Sequence, residues 1–198
     1  MIAGGVSALL LAFSMTPTFA ALSAAIQNSV DTAGAGTLIM EEKLGTTTTC
    51  LSTDGNTVAT NSATCSSINK YGGDLDMAPG KSKVVDITIK NAGSVPAASF
   101  SLQGGACAQS TNGTTNGGAS DVCSKYNVVI KSGSTTIYTG TAAGFASQNL
   151  NIVQLLGNNP IAAGATVPFT FTVTLDANAG NAYQGMKISQ PMTWTFGS

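Results

Sequence analysis

The residues whose type and spacing promise chemistry are four cysteines, Cys50, Cys65, Cys107 and Cys123. Cys50 and Cys65 flank LSTDGNTVATNSAT, and Cys107 and Cys123 flank AQSTNGTTNGGASDV. Both loops are rich in Gly, Asn, Ser and Thr, and neither can order itself through a core. Four cysteines allow three pairings. Joining Cys50 to Cys65 and Cys107 to Cys123 closes loops of about 15 residues, each worth roughly 3 kcal/mol in the chain-entropy model. Zinc is the competing use of four thiols, but zinc sites favour short Cys-x-x-Cys spacings and often His, and both are absent. Two local disulfides are expected.

Other chemistry finds few residues to carry it. The chain has no His, so a His-Glu-x-x-His zinc site, a Ser-His-Asp triad and a Cys-His pair are all excluded. Asp176-Ala-Asn178-Ala-Gly180-Asn181 faintly resembles a calcium loop. It lacks the EF-hand order, and Lys187 stands where the bidentate Glu belongs, so a hairpin turn is the expectation. Glu41 and Glu42 are adjacent, and on a strand they point to opposite faces, a poor geometry for paired acid and base work. Tyr183 and Trp194 could form a carbohydrate platform, but Trp194 is in phase with Met192 and Phe196, which favours a core position. No enzymatic activity, cofactor or metal is expected.

Composition points the same way. Charged residues make up 9% of the chain, eight Lys against nine acidic residues, for a net charge of −1. Nucleic-acid binding needs several cationic phosphate contacts, and no basic cluster offers them. A surface of Thr and Ser with little charge suits an exposed extracellular role. It also suits self-association, since little repulsion holds copies apart.

The elements that must position these residues are strands. Lys83 to Lys90 alternates Val85, Ile87 and Ile89 against Asp86, Thr88 and Lys90, the period of a half-buried strand. Phe100 and Leu102 share a face after the Asn91–Pro96 turn. Asn127–Lys131 and Thr135–Thr139 read as a hairpin across Ser132, Gly133 and Ser134. Phe169, Phe171, Val173 and Leu175 alternate strictly with Thr170, Thr172 and Thr174. The last strand places Met192, Trp194 and Phe196 on one face. Only Ser147 to Leu156 has helical potential, weakened by β-branched residues. Strands at this spacing between Gly- and Pro-bearing turns predict an all-β fold, a two-sheet sandwich of jelly-roll type. Its expected interior includes Val85, Ile87, Ile89, Phe169, Phe171, Val173, Leu175, Trp194 and Phe196. The polar stretches Thr46–Lys70 and Gly104–Ser120 read as insertions stapled by the disulfides.

The beginning of the chain reads as an export signal. Val6 to Phe13 is an apolar run, followed by Pro17 and small residues at Thr18 and Ala20. Cleavage is expected between Ala20 and Ala21, although the customary cation before the apolar run is missing. A retained membrane helix needs about 20 apolar residues, and Ser14, Thr16, Pro17 and Thr18 interrupt this one. Removing the first 20 of 198 residues leaves 178, enough for one sizeable β domain. With two residues after Phe196, no sorting signal or C-terminal anchor is expected.

Three stretches together resemble the TasA/camelysin family of exported, fibre-forming proteins of Gram-positive bacteria. TFAALSAAIQNSVDTAGAGTLIM is similar to that family's processing region, ending in a strand start at Ala35, Gly36, Thr37 and Leu38. MAPGKSKVVDITIKNAGSVPAASFSL is similar to its Pro-Gly turn, strand, Asn-x-Gly-Ser turn and next strand. NAYQGMKISQPMTWTF is similar to its closing Asn-x-Tyr-Gln-Gly turn and final aromatic strand. They cover roughly a third of the mature chain, in the family's order. The cysteines and their two loops depart from the founding members' pattern.

The resemblance implies a secreted jelly-roll subunit that polymerises with identical copies into biofilm matrix or surface filaments. Other matrix or cell-surface proteins are conceivable partners, and no membrane is involved after cleavage. Residues 1–20 would be the signal, 21–36 a donor strand and hinge, and 37–198 the jelly-roll domain. Ala21 to Val30 is uncharged from Ala21 onwards and places Leu22, Ala24 and Ile26 on one face, with Val30 at its end. Such a segment can add a strand to a neighbour's sheet edge or form the first strand of its own subunit. Both states bury the same alternate side chains, and the resemblance favours exchange. Some camelysin relatives carry a metallopeptidase label, for which a chain without His offers no zinc site. The alternative reading is a monomeric secreted or cell-surface binding module that uses the disulfide-closed loops as its contact surface.

Overall fold

The strictest alternation in the chain becomes the central strand of its largest sheet. The computed structural model describes residues 32–55 and 60–198. The expected signal, the cut between Ala20 and Ala21, and the donor residues Ala21, Leu22, Ala24, Ile26 and Val30 lie outside the described residues. The fold below is that of the unit Ala35–Ser198.

Among the described residues eleven strands follow in chain order: β1 Met40–Leu44, β2 Thr48–Leu51, β3 Ser82–Asn91, β4 Ser99–Gly104, β5 Ala108–Thr111, β6 Tyr126–Ser132, β7 Thr135–Thr141, β8 Asn149–Asn151, β9 Thr166–Leu175, β10 Met186–Ser189 and β11 Met192–Gly197. They form three antiparallel sheets, ordered β2-β1-β3-β9-β6-β7, β11-β4-β8 and β10-β5. The fold is therefore largely β, in three sheets.

β9 sits between β3 and β6 because one of its faces is wholly apolar. Val167, Phe169, Phe171, Val173 and Leu175 are all buried, while the intervening Thr residues face outward. The register sets Ile87 beside Phe169 and Val85 beside Phe171 on one side, and Val128 beside Val173 on the other. Pro168 is tolerated in this central strand because pairing with β6 stops at Thr170, so on that side no ladder bond is lost. The β6–β7 hairpin turns on Gly133 and Ser134, with Gly133 at φ 56°, a conformation that favours glycine.

The three-stranded sheet lies against this apolar face through aromatic rings. Phe100 of β4 meets Phe169 edge-on at 5.9 Å, and Phe196 of β11 meets Phe100 at 4.7 Å. Chain crossing between the two layers depends on Asn91, which is fully buried. Its Nδ2 donates to the carbonyls of Val95 and Ile161, and its Oδ1 accepts from Gly93 N–H. The Asn91–Pro96 turn thus satisfies its polar groups internally, as buried backbone requires.

Three sequence expectations change in detail. Ser147–Leu156 is strand β8 followed by one helical turn, α1, at Ile152–Leu155, capped by the Asn151 side chain accepting from Gln154 N–H. The helix stops before Gly157 and Asn158, which take left-handed φ values of 100° and 62°. The polar stretches contain structure of their own: β2 lies in the first and β5 in the second, and Ile68 is buried. Finally, the Asp176–Asn181 loop is no hairpin. It carries the chain from β9 to β10, which pairs with β5 in a different sheet.

Candidate functional site

Both expected disulfides are present, Cys50–Cys65 and Cys107–Cys123. They do different things. The Cys107–Cys123 loop is laid against the turn before β10, where Asn112 N–H bonds Gly185 and Gly117 N–H bonds Gln184. The Cys50–Cys65 loop instead forms part of the wall of a groove of about 760 Å³.

The groove is built from three directions. β1 pairs with β3 so that Met40, Glu42 and Leu44 point to the same side as Ile89 and Ile87, toward the interior. Met40 and Glu42 supply the groove floor, and the segment from Ile68 to Tyr71 closes one side. The opposite side is the run from β10 into β11. Every residue from Lys187 to Phe196 lines the groove, ten in succession. A strand shows one cavity only its alternate residues when a face is turned toward it. Consecutive lining means that the backbone edge itself borders the groove. Among the described residues β11 is bonded only to β4 and β10 only to β5, so no described strand occupies that edge.

The two short sheets behave as one interrupted ribbon along this edge. β4 leads into β5, β10 leads into β11, and the pairs β4–β11 and β5–β10 follow one another. At the break, Gly105 N–H donates to the Pro191 carbonyl, carrying one bond across. Gln190 braces the same point, donating to the carbonyls of Gly105 and Ala142 while accepting from the Tyr71 hydroxyl. Burial, with a smaller contribution from Tyr138, raises the Tyr71 phenol far above its ordinary value, so it stays a neutral donor.

No family model matches this sequence, and no curated protein matches it.

Among the described residues the groove is lined by one ion pair. Glu42 is 7% exposed, and its Oε1 lies 2.7 Å from Lys70 Nζ and accepts from Trp194 Nε1 at 3.3 Å. The side chains of Lys70 and Glu42 are 10% and 9% exposed. Sequence reasoning treated Glu42 only as the neighbour of Glu41. The signal was present in Met40-x-Glu42-x-Leu44, an apolar phase with a carboxylate at its centre. Glu41 takes the outward face opposite Lys90, so the two glutamates do point apart.

The remaining candidates fall elsewhere. Val85, Ile87, Ile89, Phe169, Phe171, Val173 and Leu175 are buried, whereas Trp194 and Phe196 are half-buried on the groove. Trp194 packs 4.7 Å from Phe169, 5.4 Å from Phe100 and 6.4 Å from Phe171. Tyr183 does not join it, lining a different cavity and donating its hydroxyl to Asp121 at 2.8 Å. Asp176 accepts from Asn178 N–H and pairs with Lys125 at 3.5 Å. The Asn178 N–H, aided by Lys125, holds its carboxyl below the usual range. Among the described residues no three His, Cys, Asp or Glu side chains gather as a metal site. No helix of the described residues is long and apolar enough to cross a membrane.

Proposed function

We propose that the chain is an exported, non-enzymatic structural subunit that polymerises into extracellular fibres. Each copy donates its Ala21–Val30 segment as a strand along the Lys187–Phe196 edge of the next. The observation that carries this reading is the run of ten consecutive edge residues bordering a partly apolar groove. Ten extended residues span about 33 Å, so donor and acceptor are the same length. An unpaired edge beside apolar side chains is the surface that strand addition uses: main-chain bonds supply affinity and side-chain pockets supply specificity.

The layered arrangement supports a jelly-roll reading of the architecture, with the six-stranded sheet as one wall and the interrupted ribbon of the two short sheets as the other. The resemblance to the TasA/camelysin family points in the same direction, including secretion and assembly with identical copies. The alternative of a monomeric module binding through its disulfide loops has less support. The described residues of both loops have internal uses already, one as a groove wall and one against Gln184 and Gly185.

Protein beginning at Ala21, purified and viewed in negative stain, is expected to form filaments of uniform width. Monodisperse particles at high concentration would favour the monomeric module.

A further inference from the structure

The Cys107–Cys123 loop carries both Asn-Gly pairs of the sequence, Asn112-Gly113 and Asn116-Gly117. Asparagine is chemically labile. It is most so before glycine, where the next backbone nitrogen reaches the side-chain carbonyl carbon with no Cβ in the way. We propose that Asn112-Gly113 is a self-modifying site, closing to a succinimide and opening to aspartate or isoaspartate. Conversion releases the segment carrying Leu75 from the loop. No enzyme is needed, and the site does not depend on the fibre reading.

The reaction balances with water alone. The Gly113 nitrogen attacks Asn112 Cγ, and the new N–Cγ bond forms as the Cγ–Nδ2 bond breaks. Nδ2 leaves as ammonia with the proton that Gly113 gave up. Water then adds to one of the two ring carbonyls. Opening at Cγ restores the ordinary backbone with an aspartate side chain. Opening at the Asn112 backbone carbonyl leaves isoaspartate, in which the chain runs on through Cγ.

The surroundings decide between the two pairs. Gly113 is exposed at φ 110°, and a Cβ built there meets nothing within 4 Å. Thr114 and Thr115 beside it are exposed too, so its nitrogen has water to take the proton and space in which to turn. Gly117 is clamped. Its N–H donates to the Gln184 carbonyl at 2.7 Å, and a Cβ there would strike the Ala182 carbonyl. The Asn116 amide is held at both ends, Nδ2 donating to the Gly113 carbonyl at 2.8 Å and Oδ1 accepting from Asn112 N–H at 3.2 Å. Turning that amide onto the Gly117 nitrogen breaks these bonds and the Gln184 bond together. Asn112 gives up its Nδ2 bond to the Leu75 carbonyl, 2.7 Å long.

That same bond sets the consequence. It ties the loop to a segment whose Leu75 and Met77 line both the groove and the second cavity. Leu75 itself is 57% exposed, so its burial does little to hold the segment. An ionised aspartate at 112 only accepts hydrogen bonds and has no N–H for the Leu75 carbonyl. Its oxygens then face another oxygen. Isoaspartate adds one atom to the backbone as well and shifts the side chain away.

The test incubates the purified protein at mildly alkaline pH, either folded or reduced and unfolded in urea, and follows both sites by peptide mapping. In the folded protein Asn112 should convert about ten-fold or more faster than Asn116, the ratio set by the extra hydrogen bonds Asn116 must break. In the unfolded chain the two rates should agree within about two-fold, since Thr-Asn-Gly is common to both sites. Equal rates in the folded protein, or faster conversion at Asn116, would overturn the site. So would a folded Asn112 that stays intact while the unfolded chain converts. For the release, Asn112→Asp should speed hydrogen exchange over residues 74–78 about five-fold, as loss of one hydrogen bond does, with the strands unchanged. Unchanged exchange there would overturn the release and leave the site standing.

Discussion

Lys70→Met is expected to cost the fold about 3–5 kcal/mol, because it leaves the Glu42 carboxylate buried without its cation. Glu42 is enclosed by β1, the Cys50–Cys65 loop and Trp194, and the 2.7 Å contact with Lys70 is its one ionic partner. The Trp194 indole N–H at 3.3 Å cannot balance a full charge. The double variant Glu42→Leu/Lys70→Met should recover most of the loss, since exchanging a whole buried pair for apolar residues is neutral or favourable. Urea unfolding of both variants measures this. A double variant as unstable as Lys70→Met alone would mean that the loss comes from packing, and that the charge pair does not act as a unit.

Trp194→Ala is the second large expected loss, about 3 kcal/mol, at the lower end for truncation of a large aromatic because the ring is half-buried. The ring touches Phe100, Phe169 and Phe171, so its removal opens the seam between the layers. It also removes the second hydrogen bond to Glu42. As the single tryptophan of the chain, Trp194 reports its own surroundings. Emission in the native protein should be blue-shifted relative to free tryptophan. Emission at the free wavelength would place the ring in water and contradict the packing described here.

What the sequence revealed and what it hid follow from the range of the interactions. β3 and β9 were legible because each carries its whole instruction locally: three to five branched or aromatic residues at period two, with Thr, Asp or Lys between them. The disulfide pairing was legible because each bridge closes a short polar loop. β5 and β10 were not, since Ala108–Thr111 has no alternating apolar face and gains strand geometry by pairing with Met186–Ser189, more than seventy positions away. The Asp176–Asn181 segment looked like a hairpin for the same reason, as nothing local says that the next strand belongs to another sheet. The groove was hidden entirely. Its floor, side and edge come from residues 38–42, 61–75 and 187–196. Glu42 was misjudged because its neighbour in sequence, Glu41, is on the other face, while its partner Lys70 lies across a disulfide loop. Trp194 was expected in the interior and does pack on Phe169, but its position on β11 also makes it a wall of the groove.

On the proposal that the chain is a fibre subunit, residues 21–30 of one copy complete the edge of another. The most direct measurement compares protein beginning at Ala21 with protein beginning at Thr32, by sedimentation and negative stain at equal concentration. Each ladder bond adds only about 0.5–1.5 kcal/mol net, so polymers need most of the segment together with burial of Leu22 and Ile26. The protein from Ala21 should sediment as filaments. The protein from Thr32 should stay folded and monomeric, with native circular dichroism, and should bind added Ala21–Val30 peptide. Normal filaments from the protein beginning at Thr32 would contradict strand donation by this segment.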